Sequence, residues 1–248
     1  MKKTAIAFIV PVLGAFPAFA GDLTSPAQAS APAAPANNTG LSPYIGFSGA
    51  FGEQSETVIA SALGGDGTYD VEGLRVNGGL GFGNGFSIDG RYEFLEGDLY
   101  GNDIDSGEIR ALVNYEQELT EGLSIVGGLG YGWLSHEASV GGVSLDLSGD
   151  GLLLNAGAKF SSGQIFGTLV YTHCFTESAE LEISGSGELD GSFEADGGDL
   201  EDVGSLEATI GYNITEQFAA TLSWEAQVTG DTWIEKDWVA AIGFQYKF

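Results

Sequence analysis

All six prolines of this 248-residue chain lie at or before Pro43, so the 205 residues that follow (248 less 43) contain none. Proline cannot donate to a strand ladder, and an uninterrupted closed sheet excludes it. The last stretch shows what kind of sheet this is. Trp238, Ala240, Ile242, Phe244, Tyr246 and Phe248 make one apolar or aromatic face, and Val239, Ala241, Gly243, Gln245 and Lys247 make the other. Alternation with a period of two gives a β-strand with one greasy and one small or polar side. Its aromatics sit at both ends with aliphatics between, as the interfaces and hydrocarbon zone of a bilayer require.

The amino terminus predicts export. Lys2 and Lys3 precede an apolar run from Ala5 to Ala15, followed by the small-x-small site Ala18-Phe19-Ala20, so residues 1–20 read as a signal peptide. The run is short for a membrane anchor. Without the leader, 6 bases face 35 acids, a balance of −29. Such a chain has no basic patch to replace phosphate counterions, which excludes nucleic acid as a partner. Residues 21–43, rich in Ala, Pro, Ser and Asn, read as a flexible linker. Cys174 is the single cysteine and forms no internal disulfide. No later run of about 18 apolar residues exists to make a transmembrane helix, so only a closed barrel would carry this chain across a membrane.

Residues 44–248 divide into ten alternating segments: 44–51, 69–82, 86–94, 108–117, 123–136, 152–160, 165–175, 206–214, 218–228 and 238–248. Phe86, Ile88, Tyr92 and Phe94 against Ser87, Asp89, Arg91 and Glu93 form the cleanest amphipathic case. Short connections at Gly83, Thr120, Ser161 and Thr215 alternate with longer polar ones at 52–68, 95–107, 137–151, 176–205 and 229–237. The expected fold is all-β: a closed antiparallel up-and-down transmembrane β-barrel of ten strands, with eight as the alternative.

A secreted sandwich or lipocalin-like barrel also alternates, with its apolar face inward. The aromatics favour the membrane. Phe82, Phe86, Tyr115, Phe160, Tyr212, Phe218, Tyr246 and Phe248 fall beside short turns, and Phe94, Trp133, Tyr171, Trp224 and Trp238 fall near long connections. These are two girdles. On the run Gly127-Gly128-Leu129-Gly130-Tyr131-Gly132-Trp133 and the terminal Phe-Gln-Tyr-Lys-Phe, the domain resembles the small bacterial outer-membrane β-barrel superfamily. That group includes the outer membrane protein A membrane domain, opacity-like surface antigens and porin-family small barrels. The resemblance implies residence in the outer membrane of a Gram-negative cell, contact with lipid and lipopolysaccharide, and recognition by the barrel-assembly machinery through Phe248.

The residues that carry chemistry face the lumen. Arg75, Arg91 and Arg110 come from three consecutive strands with Asp89, Glu93 and Glu108 among them, and Glu207 and Glu225 lie across the barrel. One reading is a paired network filling the interior, since partnering makes buried charge tolerable. The other is an Arg wall facing a Glu wall across a small porin-like path for ions or polar solutes, for which the bare inner face of Gly128, Gly130 and Gly132 argues. The 176–205 connection holds ten acids (Glu177, Glu180, Glu182, Glu188, Asp190, Glu194, Asp196, Asp199, Glu201, Asp202) and no base. It reads as a solvated surface loop. Divalent cations bridging it to lipopolysaccharide phosphates are a further expectation, although the spacing does not match an EF-hand. A loop-end hydrolase would draw on Ser135, His136, Glu137 and His173, but neighbours on a strand point to opposite faces, which separates Ser135 from His136. Cys174 is expected to pack in the wall. No cofactor, metal centre or enzymatic activity is expected.

Overall fold

The computed structural model describes residues 41–56, 67–140, 143–185, 191–196, 202–230 and 234–248. The expected leader and nearly all of the expected linker lie outside them. Eleven described strands follow in order: β1 (Leu41–Glu56), β2 (Thr68–Phe82), β3 (Phe86–Leu99), β4 (Asn102–Thr120), β5 (Leu123–Val140), β6 (Val143–Ser162), β7 (Ile165–Gly185), β8 (Gly191–Asp196), β9 (Val203–Asn213), β10 (Phe218–Thr229) and β11 (Ile234–Lys247). Ten of them, β1–β7 and β9–β11, form a closed antiparallel ring, with β7 pairing directly to β9. The short β8 pairs only with β7, past the point where β9 leaves it.

The ring closes between β1 and β11. Tyr44 pairs with Lys247 and Phe51 with Ala240, and the Phe248 amide donates to the Pro43 carbonyl at 3.0 Å. β1 begins at Leu41, three residues before the expected barrel boundary, and Pro43 is carried at its rim end.

Along the membrane-spanning part of the ten ring strands the alternating apolar set points outward. Leu74, Ile242, Leu129 and Phe47 are 57–64 % exposed, and Phe86, Ile88, Val113, Ile125, Ile210 and Leu222 share the same outer surface. A protein in water rarely tolerates a contiguous apolar patch of more than a few hundred Å². Between Leu123 and Trp133 the strand advances ten residues. At about 3.3 Å per residue and a tilt of about 45°, that is a band roughly 23 Å tall, the height of a bilayer's hydrocarbon zone. Ring closure satisfies the backbone throughout it, as hydrocarbon demands. The chain is a transmembrane barrel of the outer-membrane type.

The strands are longer than their membrane-spanning parts, and this corrects the expected loops. Residues 95–107 are almost wholly strand: β3 runs to Leu99, β4 starts at Asn102, and only Tyr100 and Gly101 turn, with φ of 58° and 80°. Two successive positive φ values give the twist of a tight type I′ hairpin. Residues 137–140 and 143–151 likewise belong to β5 and β6, and β7 carries the ladder to Gly185.

The missed signal is a change of sign, not of period. Above the upper girdle Leu95, Leu99, Ile104, Ala138, Tyr69 and Val71 face inward and are buried, while Glu72, Glu96, Asp98, Asp103, Asp105 and Glu137 face outward into water. Alternation continues with apolar inside, so residues that read as loop by a lipid-facing criterion are a water-facing extension of the same wall. Ala50, Tyr69, Val71, Leu95, Leu99, Ile104, Ala138, Val239 and Ala241 make its core, with Leu145 packed against it.

The seam between β1 and β11 depends on close approach. A Cβ on Gly243 would overlap the Phe47 carbonyl oxygen and sit 2.6 Å from the Ser48 Cα, whereas a Cβ on Gly49, on the lipid face, would meet nothing within 4 Å. Gly243→Val is expected to destabilise the barrel by about 1–3 kcal/mol through overpacking. Gly49→Val is expected to stay within about 0.5 kcal/mol of the parent. Urea unfolding of both variants in lipid vesicles measures the contrast.

Candidate functional site

The lumen-facing charges gather into one cluster. Arg75 on β2 pairs with Glu93 on β3 at 2.5 Å, and reaches across the barrel to Glu207 on β9 at 3.4 Å and Glu225 on β10 at 3.1 Å. Arg91 on β3 binds Glu207 at 3.1 Å, Glu225 at 2.9 Å and Glu108 at 3.5 Å. Arg110 on β4 binds the neighbouring Glu108 and, at 2.7 Å, Glu225. Arg75 Nη1 also donates to Ser223 Oγ at 3.1 Å. Seven of the eight residues expected at the site are therefore brought together.

Asp89 is the exception. It lies in a separate polar layer, accepting from Tyr44 Oη at 2.8 Å, Ser87 Oγ at 2.6 Å and Asn114 Nδ2 at 2.7 Å. Asn155 continues this layer by donating to Asn114 Oδ1 at 2.9 Å. Asp89 shares β3 with Arg91 and Glu93 on one face, but a two-residue step along the strand moves it out of reach of the guanidinium groups.

Lys236 is the residue that sequence reasoning missed. It was expected in the connection 229–237, and strict alternation from Trp238 would turn it to the lipid. Instead Glu53 pairs with Trp238 and Gln54 with Lys236, leaving Asp237 as an extra residue on β11. A β-bulge of this kind reverses the facing of everything beyond it. Asp237 accepts from Ser55 Oγ at 2.5 Å. The Lys236 ammonium thereby enters the lumen, 2.6 Å from Glu93 and 2.9 Å from Glu108. One signal was available: a fourth cation was needed to balance Glu93, Glu108, Glu207 and Glu225.

The network is thus four cations and four carboxylates with no net charge. Glu225 is its centre, within 4.0 Å of all four cations and 0 % exposed. Desolvating each such ion costs several kcal/mol, and only multiple short pairings offset that cost. Glu207, with 29 % of its side chain exposed, is the member most open to water. The other lysines and arginines among the described residues lie in the lower barrel: Lys159 pairs with Glu116 at 2.9 Å, and Lys247 donates to Asn213 at 3.4 Å over the Phe166 ring.

The glycines of β5 do not leave space. A Cβ on Gly128 would lie 2.7 Å from Asn155 Oδ1, one on Gly130 2.7 Å from a Leu112 methyl, and one on Gly132 3.4 Å from Leu153. Small residues there accommodate large neighbours, which removes the sequence argument for an open lumen.

The other candidates are dispersed. Ser135 faces out and His136 is buried inside, where Nδ1 lies 2.7 Å from Ser106 Oγ. His173 faces the outer surface, 3.2 Å from Tyr171 Oη and 3.5 Å from Asp202. Cys174 is half-buried in the wall. Of the acidic 176–205 segment, Glu177, Glu180 and Glu182 belong to β7 and Glu194 and Asp196 to β8, so these are strand rather than loop. Glu188, Asp190, Asp199 and Glu201 lie outside the described residues. Tyr131 Oη lies within hydrogen-bond distance of Asp150 and, at 2.9 Å, of Glu177. Among the described residues no group of three or more His, Cys, Asp or Glu side chains is placed to hold a metal ion.

No protein-family profile matches the chain, and no relative is found among curated proteins. Solved structures of similar trace are themselves barrels. The outer membrane protease OmpT from Escherichia coli matches at 9 % identity with a TM-score of 0.48, over 84 % of this chain and 96 % of that one. The translocator domain of the autotransporter NalP from Neisseria meningitidis matches at 13 % identity and 0.47, over 87 % and 91 %. The outer membrane protein OprG from Pseudomonas aeruginosa matches at 13 % and 0.41, over 85 % and 96 %. At these values none of them speaks to the function of this chain, and its assignment as a barrel rests on its own strand pairing and apolar belt.

Removing one partner from a buried charge cluster leaves the others uncompensated. Glu225→Ala is expected to lower unfolding free energy by about 3–5 kcal/mol. Glu116→Ala, at a pair whose side chains are 38–39 % exposed, is expected to cost less than about 1 kcal/mol. Lys236→Met should resemble the first and not the second. Urea titration in phospholipid vesicles reads all three.

Proposed function

We propose that this protein is an outer-membrane barrel with a structural or surface-exposed role, its interior filled by a charged network and not held open for transport. The observation that carries this reading is the balance of the cluster. Four cations and four carboxylates from β2, β3, β4, β9, β10 and β11 meet across the lumen, each within ion-pair distance of at least two partners. A selective pore presents one sign of charge to water, or a ring of dipoles, along a continuous path. Here opposite charges neutralise one another, and the layer above them is lined mainly by Leu95, Leu99, Ile104, Val71 and Ala138.

The alternative, a small porin-like channel for ions or polar solutes, has Glu207 in its favour, since water reaches that carboxylate. The loop-end hydrolase has weaker support, because Ser135 and His136 diverge and His136 is buried. Partners follow the same reading. The lipid belt contacts outer-membrane lipid, and the outward carboxylates above the upper girdle suit divalent cations bridging to lipopolysaccharide phosphates. The exposed terminal Phe248 suits the barrel-assembly machinery.

Single-channel recording of the refolded protein in planar bilayers tests the reading. The parent is expected to give no stable conductance steps, and reproducible steps would overturn the filled interior. Arg91→Ala then separates the alternatives further: it should lower thermal stability without creating ion selectivity, whereas in a pore it would shift the anion-to-cation permeability ratio.

A further inference from the structure

The water-facing extension contains a buried polar cluster that the filled-barrel reading does not use. Tyr69 Oη and Ser106 Oγ both donate to Gln54 Oε1 at 3.2 Å, and Ser106 Oγ lies 2.7 Å from His136 Nδ1. His136 is 4 % exposed, and its Nε2 has no hydrogen-bond partner among the described residues. On its own strand it sits two residues from the core residue Ala138, and it pairs across the sheet with Ser106 on β4 and Leu147 on β6. The titratable and charged groups on the surrounding inward faces are Glu56 on β1, Tyr69 on β2, Glu93 on β3, Glu108 on β4 and Lys236 on β11. β6 contributes Leu145, Leu147 and Gly149. Glu93, Glu108 and Lys236 are committed to one another in the network below, and Glu56 acts electrostatically on Tyr69.

We propose that His136 is an acid-sensitive latch of the upper apolar tier: neutral, it holds the tier closed through Ser106, and protonated, it forces the tier apart. The geometry gives the reason. An imidazolium donates from both nitrogens. Ser106 can accept from Nδ1 while passing its own hydrogen to Gln54, so that bond survives protonation. The second donor at Nε2 then has no acceptor among the described residues, and the new charge is desolvated by burial. Opening lets water reach Nε2 and exposes the upper side of the charged network to the outside.

Burial pushes the His136 imidazole down to about 4. The sign follows from linkage. Between the ordinary histidine value of about 6.5 and the depressed value, the open form takes up a proton that the closed form refuses. Stability of the closed tier therefore falls as pH drops through that window, and the loss is complete below the depressed value.

The chain has two histidines, so their Cε1–H signals in the refolded protein can be assigned with a His173→Gln variant. Amide exchange of the β3–β4 hairpin, Leu95–Leu99 and Asn102–Ser106, reports the tier itself. His136 is expected to titrate near pH 4. Across the same interval the hairpin amides, corrected for intrinsic rates, should exchange at least about tenfold faster, while His136→Gln shows no such step. Acceleration of equal size in His136→Gln would overturn the proposal, as would protonation of His136 without acceleration. Should that variant fail to fold, the parent still decides, because the acceleration must set in below about pH 6.5 and level off where His136 itself titrates. Neither readout depends on conductance, so a failure here is distinct from a failure of the filled-interior reading on which the exposure of the network rests.

Discussion

Hydrocarbon offers no partner to a backbone amide, and this constraint shapes the whole molecule. A sheet that crosses a bilayer must close. Closure here falls on β1 and β11, the two ends of the described chain, joined from Tyr44–Lys247 to Glu56–Ile234. Closure creates an interior, and in a ring this small the side chains that face it meet one another across it. Most large apolar side chains are spent on the lipid side, so charged and polar groups share the interior with a few apolar ones such as Val126, Leu112 and Leu153. Their need for partners produces the eight-charge network: polar residues denied both lipid and bulk water satisfy one another, and four opposing pairs do so without net charge.

The same wall solves a different problem a few residues higher. Once the strands leave the bilayer, the outer face meets water and the inner face can be apolar. Glu96, Asp98, Asp103 and Asp105 turn out, while Leu95, Leu99 and Ile104 turn in. The molecule is thus a membrane barrel below the upper girdle and an ordinary water-soluble β-structure above it, built on one continuous ladder. The sandwich-like pattern weighed against a membrane barrel is not absent from this chain. It occupies the upper tier.

This division explains the placement of charge. Of the six bases beyond the expected leader, four are in the network and Lys159 and Lys247 lie in the lower barrel. The water-facing extension therefore carries carboxylates without cations of its own, which fits a surface that is hydrated and self-repelling. Its few interior polar groups include Gln54, Ser106 and His136, and burial makes a proton difficult to add to the His136 imidazole. The lower, polar interior and the upper, apolar interior thus respond to different stresses: loss of an ion-pair partner in one, gain of a charge in the other.

The sequence by itself determined the period, the lipid-facing set and the closure, and it put eight charged residues on the lumen face, seven of which the structure gathers into one cluster. These follow from local rules, because a two-residue repeat assigns faces independently of what lies across the barrel. Only the tertiary structure decided the rest. Whether Gly128, Gly130 and Gly132 leave space depends on Asn155, Leu112 and Leu153 reaching over from neighbouring strands. Asp89 leaves the charged cluster because its height, set by strand stagger, brings it to Tyr44 and Asn114 instead. Lys236 enters because one extra residue at Asp237 reverses the facing of the strand end, and a bulge has no signature in alternation except its failure. The upper strands read as loops because the chemistry of their two faces exchanges at the membrane surface, and the position of that surface is a property of the assembled belt.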